Sequence, residues 1–119
     1  MTQFTLDSLK ILDGYVASAL VDADSGMLMA GHSQGDIDLD LAAAGNAEVV
    51  RAKRRVTESL RIESAIEDIL ISLEHQYHLI RPLESNKSVF LYVIIDRGRS
   101  NLAMARHHLK AFEKTLDFS

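Results

Sequence analysis

The chain of 119 residues contains no cysteine. That excludes a disulfide framework, thiolate zinc sites and thiol catalysis, and it suits a reducing cytoplasm. Tryptophan is absent too, proline occurs once and glycine six times. So few chain breakers argue against a disordered or low-complexity segment. No apolar run approaches a membrane span: the longest, residues 89–95, falls far short of the ~20 residues such a helix needs. The opening residues, MTQFTLDSLK, have no basic start and no long apolar stretch, so they do not read as a secretory signal. A cytoplasmic location is the expectation. A strong excess of positive charge is also missing: the net charge is −4, which gives no reason to expect a nucleic-acid partner.

What is present suits one domain spanning residues 1–119. Apolar residues make up 47% of the chain, enough for a core. Charge is unevenly placed. Residues 1–48 hold eight carboxylates and one lysine, whereas residues 49–61 hold five bases and one glutamate. A helix whose ends match its dipole accounts for this first, and a basic patch for an acidic partner is the sharper alternative.

The local patterns give an order of elements. Thr5 is placed to cap a short helix, with Phe4 stapling onto Leu9, and Gly14 ends it in a left-handed conformation. Residues 15–21 read as a strand with small residues, Ala17, Ser18 and Ala19, at its middle. Asp22 to Gly26 is a turn by composition, and residues 27–32 return as a second strand. Asp36, Asp38 and Asp40 open a long helix that runs to about Leu60. Leu41, Gly45, Val49, Ala52, Val56 and Leu60 form one stripe on it. Gly45 costs about 1 kcal/mol relative to Ala in a helix interior, so it implies close approach to another backbone or a local bend.

Residues 66–83 fit two periods. Ile66, Ile69, Leu70, Leu73, Tyr77 and Ile80 match a helical stripe, while Ile69, Ile71 and Leu73 alternate as a strand does. Isoleucine enrichment and the Arg81-Pro82 ending favour two strands. Residues 88–95 read as one buried strand, apolar at nearly every position as a central strand is. A turn over residues 96–100 follows. A helix then opens at Asn101 with Leu102, Ala105, Leu109, Phe112 and Leu116 on one face.

No constellation for catalysis stands out. The five histidines, His32, His75, His78, His107 and His108, lack convergent metal-ligand spacing, and the last two point about 100° apart on a helix. They read as surface or boundary residues. There is no nucleophile elbow, phosphate loop or dinucleotide fingerprint. Asp36, Asp38 and Asp40 lack the EF-hand pattern and read as helix-capping carboxylates. Arg51, Lys53, Arg54, Arg55 and Arg61, with Arg97 and Arg99 in the late turn, read as a solvated face or as a patch for an acidic partner or anionic lipid. No catalytic, cofactor or metal residues are expected.

The strand-to-helix join at the C-terminal end, with Asn101-Leu102, Arg106 and Leu109 at set spacings, resembles the end of roadblock/dynein-light-chain domains. Gly14 before the first strand, Leu20-Val21-Asp22 ahead of the turn and Gly26 within it fit as well. Leu79-Ile80-Arg81-Pro82 fits a similar run in those domains. The resemblance covers the whole chain and concerns fold more than activity. The Gly45-Asn46 pair and the His107-His108 tandem depart from it.

The resemblance implies an α/β fold of order α-β-β-α-β-β-β-α, with a five-stranded, mostly antiparallel sheet sandwiched by helices. Two strands would meet at a tight turn near residues 74–76. The third strand, about residues 66–74, would form the sheet edge and pair with the same strand of a second copy. An apolar edge strand without such cover is an aggregation hazard. Val49, Lys53, Val56, Leu60, Ile69 and Ile71 would then lie at the seam of a homodimer, an interface of the kind that buries on the order of 2,000 Å². The same resemblance implies a non-enzymatic homodimeric regulator or scaffold for a Ras-like small GTPase or a related signalling assembly. Arg51, Arg55, Arg97 and Arg99 are candidates for its contact patch. A small-molecule-sensing or general protein-interaction module is the alternative.

Overall fold

The computed structural model describes residues 4–118. A 3-10 helix (Asp7–Ile11) leads into the hairpin of β1 (Tyr15–Asp22) and β2 (Leu28–Ser33). Helix α1 (Leu39–Ser59) follows, then the hairpin of β3 (Ile69–Ser72) and β4 (Gln76–Pro82), then β5 (Val89–Asp96) and helix α2 (Leu102–Glu113). The strands form one five-stranded sheet in the order β2-β1-β5-β4-β3, and every neighbouring pair is antiparallel. The expected order of elements holds, with a 3-10 turn as the opening helix.

Strand β5 joins the two hairpins and is buried along Val89–Ile95 because both sheet faces are covered. On one face, α2 and the 3-10 helix pack Leu9, Leu12, Ala105, Leu109 and Phe112 onto Leu20, Leu91, Val93 and Ile95. On the other, α1 packs Ala43, Ala47 and Val50 onto Ala17, Ala19, Val21 and Phe90. The small residues of β1 thus meet small residues of α1, which brings the helix close to the sheet. α1 lies over β1 and β2, so its closest contacts are at one side of the sheet.

Caps and turns follow the local chemistry. Asp38 caps α1 by accepting from the Leu41 amide at 3.0 Å, and Asn101 caps α2 by accepting from Met104 at 3.1 Å. Asp36 therefore lies before the helix rather than in it. Gly14 has φ +74°, as expected, and a Cβ there would sit 2.9 Å from the Asp96 carbonyl oxygen. Thr5 does not cap the opening helix. Leu6 holds the cap position, and Thr5 Oγ1 accepts from the Asp7 amide at 3.3 Å. Phe4 packs on Phe118, with ring centroids 5.1 Å apart, and against the core cluster that contains Leu9.

Residues 66–83 form two strands, not a helix. Strand β3 is shorter than residues 66–74: it pairs Ile69 with Ile80 and ends at Ser72. Extending that register would set residue 67 opposite Pro82, which has no N–H to offer. Asp68 turns away to accept from Arg106 Nε at 2.9 Å.

Candidate interaction surface

β3 is one edge of the sheet, and its outer side has no strand partner among the described residues. Ile69 and Ile71 point to the α1 face and are half-buried; Leu70 points to the α2 face. Beyond the strand, Leu73 is 43% exposed. The hairpin is held from both ends. Arg106 of α2 grips Asp68 through Nε and through Nη2 at 3.4 Å. Arg97 donates to the Leu73 carbonyl at 3.2 Å and lies 5.0 Å over the Tyr77 ring.

α1 has two apolar faces. Ala43, Ala47 and Val50 face the sheet. The stripe expected from the sequence faces away from it: Leu41 is 72% exposed, Val49 37%, Val56 46% and Leu60 63%, and Gly45 and Ala52 are also exposed. A Cβ on Gly45 would meet nothing within 4 Å, so this chain's own packing does not require glycine there. The helix is unbroken through Gly45-Asn46. Val49, Lys53, Val56 and Leu60 lie on exposed α1, and Ile69 and Ile71 lie on the sheet face that α1 also covers.

A polar chain runs beneath that face. His78 on β4 accepts or donates at Nδ1 with Tyr92 Oη of β5 at 2.7 Å, and at Nε2 with Gln76 Oε1 at 2.9 Å. Burial pushes the His78 pKa down, which keeps the ring neutral. Neutral His78 with its proton on Nε2 donates to Gln76 and accepts from Tyr92. Burial also raises the Tyr92 pKa, opposed in part by a hydrogen bond with Asn46 of α1.

Solved structures share this fold. A roadblock/LC7 domain from Streptomyces avermitilis superposes with a TM-score of 0.83, covering 96% of this chain and 94% of that one at 13% identity. This chain has the roadblock/LC7 fold. The gliding protein MglB of Thermus thermophilus matches with a TM-score of 0.76 over 92% of this chain and 80% of that one, at 18% identity. Myxococcus xanthus MglB matches with a TM-score of 0.66 over 86% and 85%, at 21% identity. No protein-family profile and no curated protein matches the sequence.

Within the roadblock fold, the four arginines singled out from sequence do not converge. Arg51 donates to the Ala23 carbonyl at 2.7 Å, at the end of the sheet where Asp22 pairs with Val89. Arg97 and Arg99 follow the opposite end of β5, about 23 Å away at strand rise. Arg55 is exposed on α1. Among the described residues, no group of three or more His, Asp or Glu side chains is arranged to hold a metal. A pocket of about 300 Å³ lies between the end of α1, the 61–68 connection and the β4–β5 turn. Ile62, Ile66, Pro82 and Leu83 line it with Arg54 and Glu58.

Periodicity did not reveal three side-chain pairs: Arg81 with Glu113, Asp68 with Arg106 and His78 with Tyr92. The first two join elements distant in sequence and the third joins neighbouring strands, and no local spacing signals any of them. The one cue is Arg81 itself, a charge inside an otherwise apolar run.

Proposed function

We propose that this chain is a non-enzymatic homodimeric regulator or scaffold for a Ras-like small GTPase, working in the cytoplasm as one domain over residues 1–119. The observation that carries the reading is the pairing of an open β3 edge with an exposed apolar stripe on α1. Both are surfaces that a second copy satisfies: the strand gains a hydrogen-bonded partner and the stripe leaves water. Val49, Lys53, Val56, Leu60, Ile69 and Ile71 form the seam. The roadblock fold of the MglB structures supports the GTPase side of the reading. A protein without a pocket for chemistry accelerates phosphoryl transfer by positioning the GTPase's own groups, since that reaction depends on placement and charge stabilisation. Arg55 and Arg99, both exposed, are the free-standing members of the candidate contact set.

The test is sedimentation of the purified chain over a wide concentration range. GTP hydrolysis by a GTPase recovered with the chain from its native host is then measured with and without it. A dimer and a changed rate are expected. A stable monomer would sink the homodimer, and an unchanged rate would leave only the scaffold.

The 300 Å³ pocket supports the second reading, a small-molecule-sensing module. Native mass spectrometry of the purified protein separates the two: a retained metabolite favours sensing.

A further inference from the structure

We propose that the outer margin of β2 is a docking site for an extended, basic segment of a partner protein, which joins the five-stranded sheet as a further strand. This edge lies opposite β3, four strand spacings or about 19 Å away, so it stays open whether or not the chain dimerises as proposed above.

β2 has β1 on one side and no strand partner on the other among the described residues. The Gln34 amide donates to the Val16 carbonyl at 2.9 Å, which marks those two residues as a hydrogen-bonded pair. Bonded and non-bonded pairs alternate along an antiparallel ladder. Ser18 with His32 is therefore bonded, whereas Ala17 with Ser33 and Ala19 with Gly31 are not. Gly31 and Ser33 thus turn their N–H and C=O groups away from β1, toward the open side. Gly31 is exposed and has no side chain to shield its backbone. Met27 and Met29, 68% and 39% exposed, add soft apolar surface to the same strand, of a kind that adapts to varied side chains.

Charge selects the occupant. Residues 22–48 bracket β2 and carry Asp22, Asp24, Asp36, Asp38, Asp40 and Glu48, with no lysine or arginine. Asp22 and Asp24 lie at the β1–β2 turn. Leu39 packs over Gly31, where a Cβ would sit 2.8 Å from Leu39 Cδ1, and this brings the flanking Asp38 and Asp40 to the strand. Asp22 holds the turn by accepting from the Asp24 and Ser25 amides, and Asp38 caps α1. Asp24, Asp36 and Asp40 are exposed and enter no ion pair among the described residues. Arg51 reaches this end of the sheet, but the Ala23 and Asp24 carbonyl oxygens engage its guanidinium at 2.7 and 3.4 Å. A second copy does not match. The strands of this chain hold one base, Arg81, which is buried against Glu113, and pairing β2 with β2 would set two acidic margins together. An extended segment rich in lysine or arginine meets both requirements: its backbone bonds Gly31 and Ser33, and its side chains face the aspartates.

The test uses the full chain in low salt and a synthetic peptide of about ten residues that alternates lysine with valine. At saturation, amide hydrogen exchange read by NMR slows about tenfold or more at Gly31 and Ser33, while the amides of β3 keep their rates. A peptide of the same sequence with every amide N-methylated keeps its charge but has no donors for the ladder, and it binds about a hundredfold more weakly. The variant Asp24→Asn, Asp36→Asn, Asp40→Asn, its fold checked by thermal melts, binds the parent peptide about tenfold more weakly. About 1 M salt reduces that difference. The proposal is overturned if the peptide does not bind, if it protects β3 in place of Gly31 and Ser33, or if the methylated peptide or the triple variant binds as well as the parent pair. Protection of Gly31 and Ser33 that grows with protein concentration in the absence of peptide would place a second copy on this edge and overturn it as well.

Discussion

Arg81 and Glu113 form an ion pair almost wholly removed from water. Arg81 Nε donates to Glu113 Oε1 at 3.0 Å, with the two side chains 6% and 8% exposed. Glu113 Oε2 accepts from the Glu84 amide at 2.8 Å and from Ser85 at 3.3 Å, so one carboxylate fastens β4, the β4–β5 turn and α2. Removing Glu113 leaves Arg81 buried with only the exposed Glu84 carboxylate, at 3.7 Å, to offset its charge. Glu113→Ala is expected to cost about 3–5 kcal/mol in urea unfolding, and Arg81→Met combined with Glu113→Leu to recover most of it.

His78 makes stability depend on pH. Its folded pKa lies below the ordinary value of 6.5 because burial disfavours the charged ring. Above the unfolded pKa both states are neutral and the contribution is complete. As pH falls below it, the unfolded chain takes up a proton that the folded chain resists, and stability declines until the folded pKa is passed. Urea midpoints measured from pH 8 to pH 5 should fall for the parent chain. The slope should flatten for His78→Gln.

Two glycines should respond in opposite directions to alanine. At Gly14 the backbone has positive φ and a Cβ would press on the Asp96 carbonyl, so Gly14→Ala should destabilise by about 1–3 kcal/mol. Gly45 is helical and open to solvent, so Gly45→Ala should stabilise the dilute chain by about 1 kcal/mol. Denaturant unfolding at low protein concentration reads both.

The Asp68 and Arg106 pair is partly exposed, and Asp68→Ala should lower global stability by no more than about 1 kcal/mol. Its local effect is larger. Hydrogen exchange of the β3–β4 hairpin should quicken while that of β5 stays unchanged, because only the start of β3 loses its tether.

Much of the fold was legible because its signals are local. The unbroken apolar run of β5, the Asp38 and Asn101 caps and the turn residues at Gly14 and Gly26 each act through neighbours in sequence. The stripe on α1 was legible from its period alone, but only the resemblance, which set Val49, Val56 and Leu60 at a seam, turned it outward. Ala43, Ala47 and Val50 make a second, smaller apolar face, and alanines opposite Ala17 and Ala19 give that face little hydrophobic weight. The start of β3 was misjudged because it depends on Pro82 across the hairpin and on Arg106 in another layer. The buried Arg81 and Glu113 pair was invisible for the same reason: its partners are 32 residues apart.

The strand order also bears on how the chain comes to be folded. The first and second hairpins share no ladder, and β5, the last strand to be synthesised, lies between them. On the ribosome both hairpins therefore emerge before anything can join them, each with its inner margin bare. Sheet assembly must be a late, long-range event, and the nascent chain is most exposed to misassociation just before Val89–Asp96 clears the exit.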